Sequence, residues 1–208
     1  SSINKDTMNF LSIDCSTDVG SLFLKTQNKS FSKILQSDKS NNDFLMQSIL
    51  DFFKENNQKL SNLSKIFINQ GPGNFSGLRG SLSIAKGISL THNLNLYGYN
   101  NFIWPCVKFF GKKNNIYSLI KFRDRYFIKK FSKNLKSLLK SKEIPEEEIL
   151  KSYKNKFITV PKSMSFDFNK KILEINNLNI VKLDHNELEF LQLKGLLDEE
   201  LIKPLYLT

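Results

Sequence analysis

Two cysteines in 208 residues, Cys15 and Cys106, neither in a CxxC pair, cannot make a disulfide framework, and a reducing cytosol is the simplest setting for them. Histidine is equally scarce. His92 and His185 lack the paired spacing on one helix face that a transition-metal site uses, so no metal centre is expected. No stretch approaches the roughly 18 consecutive apolar residues of a membrane span. The opening SSINKDT lacks the apolar core of a secretion signal, so a cytoplasmic protein with no membrane association is expected. Low-complexity tracts are absent and no internal symmetry is evident.

The apolar fraction of 40% is enough for one large domain or two small ones. Ordered patterning begins at Met8-Asn9-Phe10, which makes residues 1–7 a tail, native or added, and Met8 the expected start. Lys and Arg number 31 against 20 acidic residues, a net charge of +11. Such a balance suits either a solvated lysine-rich surface or a phosphate-tracking groove. The first is preferred, because the basic residues look scattered and no aromatic-and-basic recognition motif accompanies them.

Phe10–Ile13 reads as a compact strand running into Asp14-Cys15-Ser16-Thr17, a turn rich in side-chain donors and acceptors. Strands at 19–26 and 30–35 make an antiparallel meander around Gln27-Asn28-Lys29. From Phe44 to Lys59 the period becomes helical, and Phe52, Leu45, Ile49, Phe53, Met46 and Leu50 share an apolar arc of about 160°, where an ordinary surface helix needs little more than about 100°. That helix is either wedged into the core or presented to a partner. A strand at 65–70, a glycine loop, a helix at 76–91 capped by Ser76 and a strand at 96–99 complete a βββαβαβ order suited to parallel crossovers.

Beyond a boundary at 100–105 the sequence predicts a hairpin around Arg123-Asp124-Arg125. It also predicts a helix at 145–153 with three glutamates in its first turn, short strands near 157–160, 172–175 and 180–183, and a helix from 186 to 197. The expected division is a first half at 8–101 and a smaller, divergent α/β half at 102–208.

Chemistry is concentrated at Gly71-Pro72-Gly73 through Gly77. Glycines there allow positive φ or close approach, of an anion or of another backbone. Asp14, Ser16 and Thr17 could serve a phosphate site or cap a turn, and turn capping is preferred, because Asn69, Gln70 and Asn74 stand where a second acid would be needed to hold Mg²⁺. Arg79 suits an anion, an acidic partner or a salt bridge tying the loop. Cys15 beside Asp14 is a poor nucleophile. In the second helix Gly80, Ser83 and Gly87 form a stripe of small residues. Glycine weakens a helix by about 1 kcal/mol, so close approach by another helix is its natural reason.

FLSIDCST, the meander, the amphipathic helix, INQGPGNFSGLRGSLSIAKGIS and LYGY together resemble the TsaB (YeaZ) family of bacterial proteins that act in threonylcarbamoyladenosine synthesis on tRNA. The match is good from Phe10 to about Trp104 and poor from there to Ile202, and the ending Lys203-Pro204-Leu205-Tyr206-Leu207 is similar to the family's. The resemblance implies a ribonuclease H-like fold of the actin, sugar kinase and Hsp70 type, catalytically degenerate. It implies a scaffold that pairs with the transferase TsaD and with the ATPase TsaE and meets tRNA through that complex; a homodimer through the same helices is expected when TsaD is absent, since an apolar surface finds a substitute partner. The implied interface lies on the two helices, at Leu45, Met46, Ile49, Leu50, Phe53, Gly80, Ser83, Lys86 and Gly87. Asp14, Ser16, Thr17, Gly71, Gly73, Ser76, Gly77 and Arg79 would be vestigial phosphate loops, with no cofactor beyond weak nucleotide binding at the partner interface. An active small-substrate kinase or ATPase of this fold, and a basic RNA-binding protein, are the alternatives.

Overall fold

The computed structural model describes residues 9–36 and 42–205; the expected tail at 1–7 and the Met8 start lie outside them. Two units are found, one made of the residues up to Tyr99 together with Leu197–Leu205, the other of Asn100–Leu196.

In the first unit the elements run β1 (Phe10–Asp14), β2 (Ser21–Lys25), β3 (Ser30–Ile34), α1 (Asn42–Glu55), β4 (Lys65–Asn69), α2 (Phe75–His92) and β5 (Asn95–Tyr99). They build a sheet of order β3-β2-β1-β4-β5. β1 pairs antiparallel with β2 and parallel with β4, and β4 pairs parallel with β5. Every residue of β4 is buried, as expected of a central parallel strand covered on both faces. Leu11, Ile13, Ile66 and Ile68 pack with Leu45, Ile49 and Phe52 of α1 and with Leu82, Ala85 and Ile88 of α2. Phe10 and Phe67 make an edge-to-face ring pair, 5.0 Å between centroids.

The start of α2 differs from expectation. Its cap is Asn74, whose Oδ1 accepts from the Gly77 N–H at 3.3 Å, whereas Ser76 lies inside the helix and donates its hydroxyl to the same oxygen. At the other end Asn93 takes the left-handed conformation, φ 52°, that closes a helix.

The second unit contains β6 (Asn115–Phe122), β7 (Arg125–Ser132), β8 (Lys142–Ile144), α3 (Glu146–Ser152), β9 (Ile158–Pro161), α4 (Lys170–Leu173), β10 (Leu178–Val181) and α5 (Leu188–Leu193). Its sheet order is β10-β9-β6-β7-β8, with β6 antiparallel to β7 and parallel to β9. Counted from β8, this is the strand order of the first unit, repeated with the same directions. The half expected to be divergent therefore shares the architecture. Its crossover helices α3 and α4 have 7 and 4 residues where α1 and α2 have 14 and 18, which is why no repeat is visible in sequence. Both units are thus α/β, each a mixed five-stranded sheet with two helical crossovers.

Three elements depart from expectation. The strand expected at 172–175 is α4, because Asn169 Oδ1 accepts from the Lys171 N–H at 2.9 Å and starts a helical turn. The helix expected at 186–197 shrinks to a 3-10 turn at His185–Glu187 and α5, ending before Gly195 at φ +70°. Leu197–Leu205 belong to the first unit, not to the second half. Asp198 forms an antiparallel bridge with Gly98, Gln70 Nε2 donates to the Lys203 carbonyl at 3.0 Å, and Ile202 fills the first core. The hairpin turn at Arg123 and Asp124, φ 51° and 62°, is the two-residue left-handed type expected between twisted strands.

Candidate functional site

The C-terminal end of β1 and the loop between β4 and α2 lie against each other. Asp14 Oδ1 accepts from the Ser16 N–H at 3.0 Å and from the Ser16 hydroxyl at 2.7 Å, so this carboxylate organises its own turn. Asn69, at the end of β4, donates from Nδ2 to the Ser16 hydroxyl at 3.3 Å and accepts from the Gly71 N–H at 2.8 Å. The Ser16 carbonyl accepts from the Asn74 N–H at 2.7 Å, which ties the two loops directly. Thr17 is engaged within its own bend between β1 and β2, where its hydroxyl donates to the Val19 carbonyl at 2.7 Å.

These contacts say what two of the glycines are for. A Cβ on Gly73 would stand 1.9 Å from the Ser16 carbonyl oxygen, and one on Gly77 would stand 2.6 Å from the Cys15 carbonyl oxygen. Each makes room for a neighbouring backbone, the second of the two uses the sequence left open. Gly71, at φ +91°, shapes the turn itself.

Sequence reasoning missed Asp18, whose Oδ1 accepts from Asn74 Nδ2 at 3.1 Å and so brings a second carboxylate to the loop. Its signal was the DCSTD spacing, which places an acid four residues after Asp14. Among the described residues no group of three His, Cys, Asp or Glu is arranged to hold a metal ion. Burial, with help from Asp14, pushes the Cys15 thiol up to about 12, so it stays protonated near neutrality. Arg79 is exposed with its guanidinium 5.4 Å from the Phe75 ring centroid, and makes no ion pair among the described residues. Of the three roles the sequence left open for Arg79, the salt bridge tying the loop is not found among the described residues.

The helix faces sort the expected interface residues. Leu45, Ile49 and Phe53 are buried in the first core and Gly80 is buried too, so these four are out of reach of a partner. The three apolar ones lie on the arc that periodicity predicts, and the sheet behind α1 uses that part of it. Met46 is half-buried and Leu50 is 42% exposed, about 40° apart on the helix projection, while Phe44 is exposed on another side of α1. On α2, Ser83, Lys86 and Gly87 are exposed, and projection at 100° per residue sets them on one stripe with Phe75, Arg79 and Leu90. Leu90 is 83% exposed. A Cβ on Gly87 would meet nothing within 4 Å.

Comparison with known proteins bears out the resemblance. Residues 36–120 match the family model described as TsaD, tRNA N6-adenosine threonylcarbamoyltransferase. The tRNA threonylcarbamoyladenosine biosynthesis protein TsaB of Buchnera aphidicola is 36% identical over 86 residues. That stretch is 40% of this chain and 38% of the relative's length. The fold is that of YeaZ from Pseudomonas aeruginosa, with a TM-score of 0.69 over 96% of this chain and 100% of that one at 16% identity. A second Pseudomonas aeruginosa structure, of a protein similar to the peptidase YeaZ, gives 0.68 over 97% of this chain and 100% of that one, again at 16% identity. The poor sequence match beyond Trp104 thus conceals a fold shared across both units. The described helices include none long and apolar enough to cross a membrane.

Proposed function

We propose that this chain, homologous to TsaB over part of its length and folded like YeaZ, takes part in threonylcarbamoyladenosine formation on tRNA as a non-catalytic, cytoplasmic scaffold. Its partners are the transferase TsaD and the ATPase TsaE, and it binds TsaD through α1 and α2. The observation that carries this reading is Gly87. A glycine inside an 18-residue helix weakens it by about 1 kcal/mol relative to alanine, and among the described residues nothing occupies the space a side chain would take. A second helix packed on the stripe of Ser83, Gly87 and Leu90 supplies a reason for glycine there.

The glycine loop supports the same reading. Its close approaches are to the backbone of Cys15 and Ser16, and Asp14 is engaged by Ser16, which fits inherited architecture better than phosphate chemistry. Exposed Leu50 and Leu90 make self-association through α1 and α2 the expected state when TsaD is absent.

The test is co-purification with the cognate TsaD, followed by measurement of the complex with Leu50→Asp and Gly87→Leu. Both variants are expected to fold as the parent does and to bind TsaD at least tenfold more weakly. A chain that ignores TsaD, or variants that bind as well as the parent, would end the proposal. Ile49→Asp is the wrong variant for this purpose, since Ile49 is fully buried and a carboxylate there would unfold the first unit.

A further inference from the structure

The net charge is not spread along the chain. Between residues 108 and 142 lie 12 of the 31 Lys and Arg but only one acid, Asp124, which leaves 19 of each sign in the rest of the chain. The expectation of scattered charge is thereby corrected: the whole +11 resides in one segment.

Within the second unit that segment has two unlike ends. At the hairpin end of β6 and β7 the cations meet acids: Arg125 pairs with Glu143 at 2.7 Å, and Asp124 sits in the turn. The opposite end is made by the starts of β6 and β9 and the finish of β7, since β6 runs parallel to β9 and antiparallel to β7. The turn before β6 is tied to the turn after β7 by the Gly111 N–H donating to the Lys133 carbonyl at 2.8 Å. The start of β6 is tied to the turn before β9 by the Tyr117 N–H donating to the Phe157 carbonyl at 2.9 Å.

Topology thus gathers Lys112, Lys113, Lys130, Lys133, Lys154 and Lys156 at one end of the sheet. No acid lies in residues 108–117, 129–142 or 151–162, and none of the six lysines makes an ion pair among the described residues. Half-buried aromatic rings lie among them. Lys130 and Lys156 stand 5.6 and 5.9 Å from the Tyr117 ring centroid, Tyr153 packs edge-on to Tyr117 at 5.3 Å, and Lys113 stands 5.1 Å from the Phe157 ring centroid.

We infer that this end of the second unit is a contact surface for the phosphodiester backbone of RNA. Six ammonium groups without an ion pair among the described residues, on a strand end and short connected turns, match a chain of regularly spaced phosphates, and the rings beneath the lysines hold their stems in place. A membrane surface is the weaker match, because the half-buried rings offer little to insert into lipid. The inference rests on charge and topology in the second unit and is independent of the TsaD reading.

The experiment uses the full chain without any partner, an unmodified tRNA transcript as probe, and fluorescence anisotropy across a salt series. Binding is expected to weaken steeply with salt. The triple variant Lys113→Gln, Lys130→Gln, Lys156→Gln should bind at least about tenfold more weakly. Its log-log salt slope should be about two units shallower, since each phosphate left without its lysine removes roughly 0.7 to 0.9 of a unit. Lys25→Gln with Lys29→Gln, at the β2–β3 turn of the first unit, should leave both unchanged. An unaltered melting temperature shows that the triple variant is folded; if it is not, the single variant Lys113→Gln, on an exposed turn, carries the test with a smaller loss in the same direction. The inference fails if the parent does not bind, if the folded variants bind with the parent's slope, or if anionic lipid vesicles or polyglutamate bind as tightly as the transcript.

Discussion

At single residues the structure makes chemical statements that sequence left as alternatives. Cys15 and Cys106 are fully buried, and burial pushes both thiols up to about 12. Neither is expected to react with a thiol reagent at pH 8 in the folded protein, and mass spectrometry after alkylation should show labelling only when denaturant exposes them. Glu187 behaves in the opposite sense to a salt-bridged acid. Burial raises its pKa, with Lys108 opposing and Asp184 adding to the shift. The folded state therefore holds this proton to higher pH than the unfolded chain does. Stability from this group is present below the ordinary carboxylate range and is lost as pH rises through the raised value. Glu187→Gln should flatten that loss, as read by chemical denaturation between pH 4 and 7. Neither effect is visible in sequence, because burial belongs to the neighbours and not to the residue.

Among the elements, α1 and α2 show what periodicity can and cannot decide. Spacing places Leu45, Ile49, Phe52 and Phe53 on the apolar side of α1, and all four are buried. Spacing cannot say how much of an over-wide arc the sheet will cover, so it does not separate these core residues from Leu50. The stripe on α2 divides in the same way, Gly80 inward and Gly87 outward. Gly87→Ala should accordingly raise the stability of the free chain by about 1 kcal/mol, read as a higher denaturation midpoint, while weakening the proposed complex with TsaD. A gain in both would show that the glycine answers no partner. The short elements of the second unit are the least legible. α4 is a single turn, fixed by the Asn169 cap, and the apolar pair Ile172-Leu173 fits a strand or a helix equally well.

Across the whole molecule, the first unit is legible in sequence and the second is hidden. The run from Phe10 to Tyr99 carries βββαβαβ in long periodic pieces, whereas β8 and β10 have 3 and 4 residues and their pairing is decided by long-range contacts. The return of Leu197–Leu205 is equally hidden, since nothing local in that stretch names its neighbours. Truncation after Leu196 should therefore destabilise the first unit, which loses Ile202 from its core and the Lys203 carbonyl from Gln70. The single tryptophan provides the control. Trp104 donates from Nε1 to the Asp184 carbonyl at 2.9 Å, wholly inside the second unit, so its fluorescence transition should move less than the far-ultraviolet circular dichroism transition.

That returning stretch also orders events in time. Gln70, Gly98 and the core position filled by Ile202 are translated roughly a hundred residues before their partners, about five to twenty seconds at ordinary ribosomal rates. During that interval the first sheet exists without its closing contacts, while the second unit is synthesised and folds as a loop between two halves of its neighbour. The loop must close late, and its closure entropy grows only slowly with length. The nascent first unit is consequently the form most exposed to chaperones and proteases, and its completion waits on the translation of the stretch that joins it.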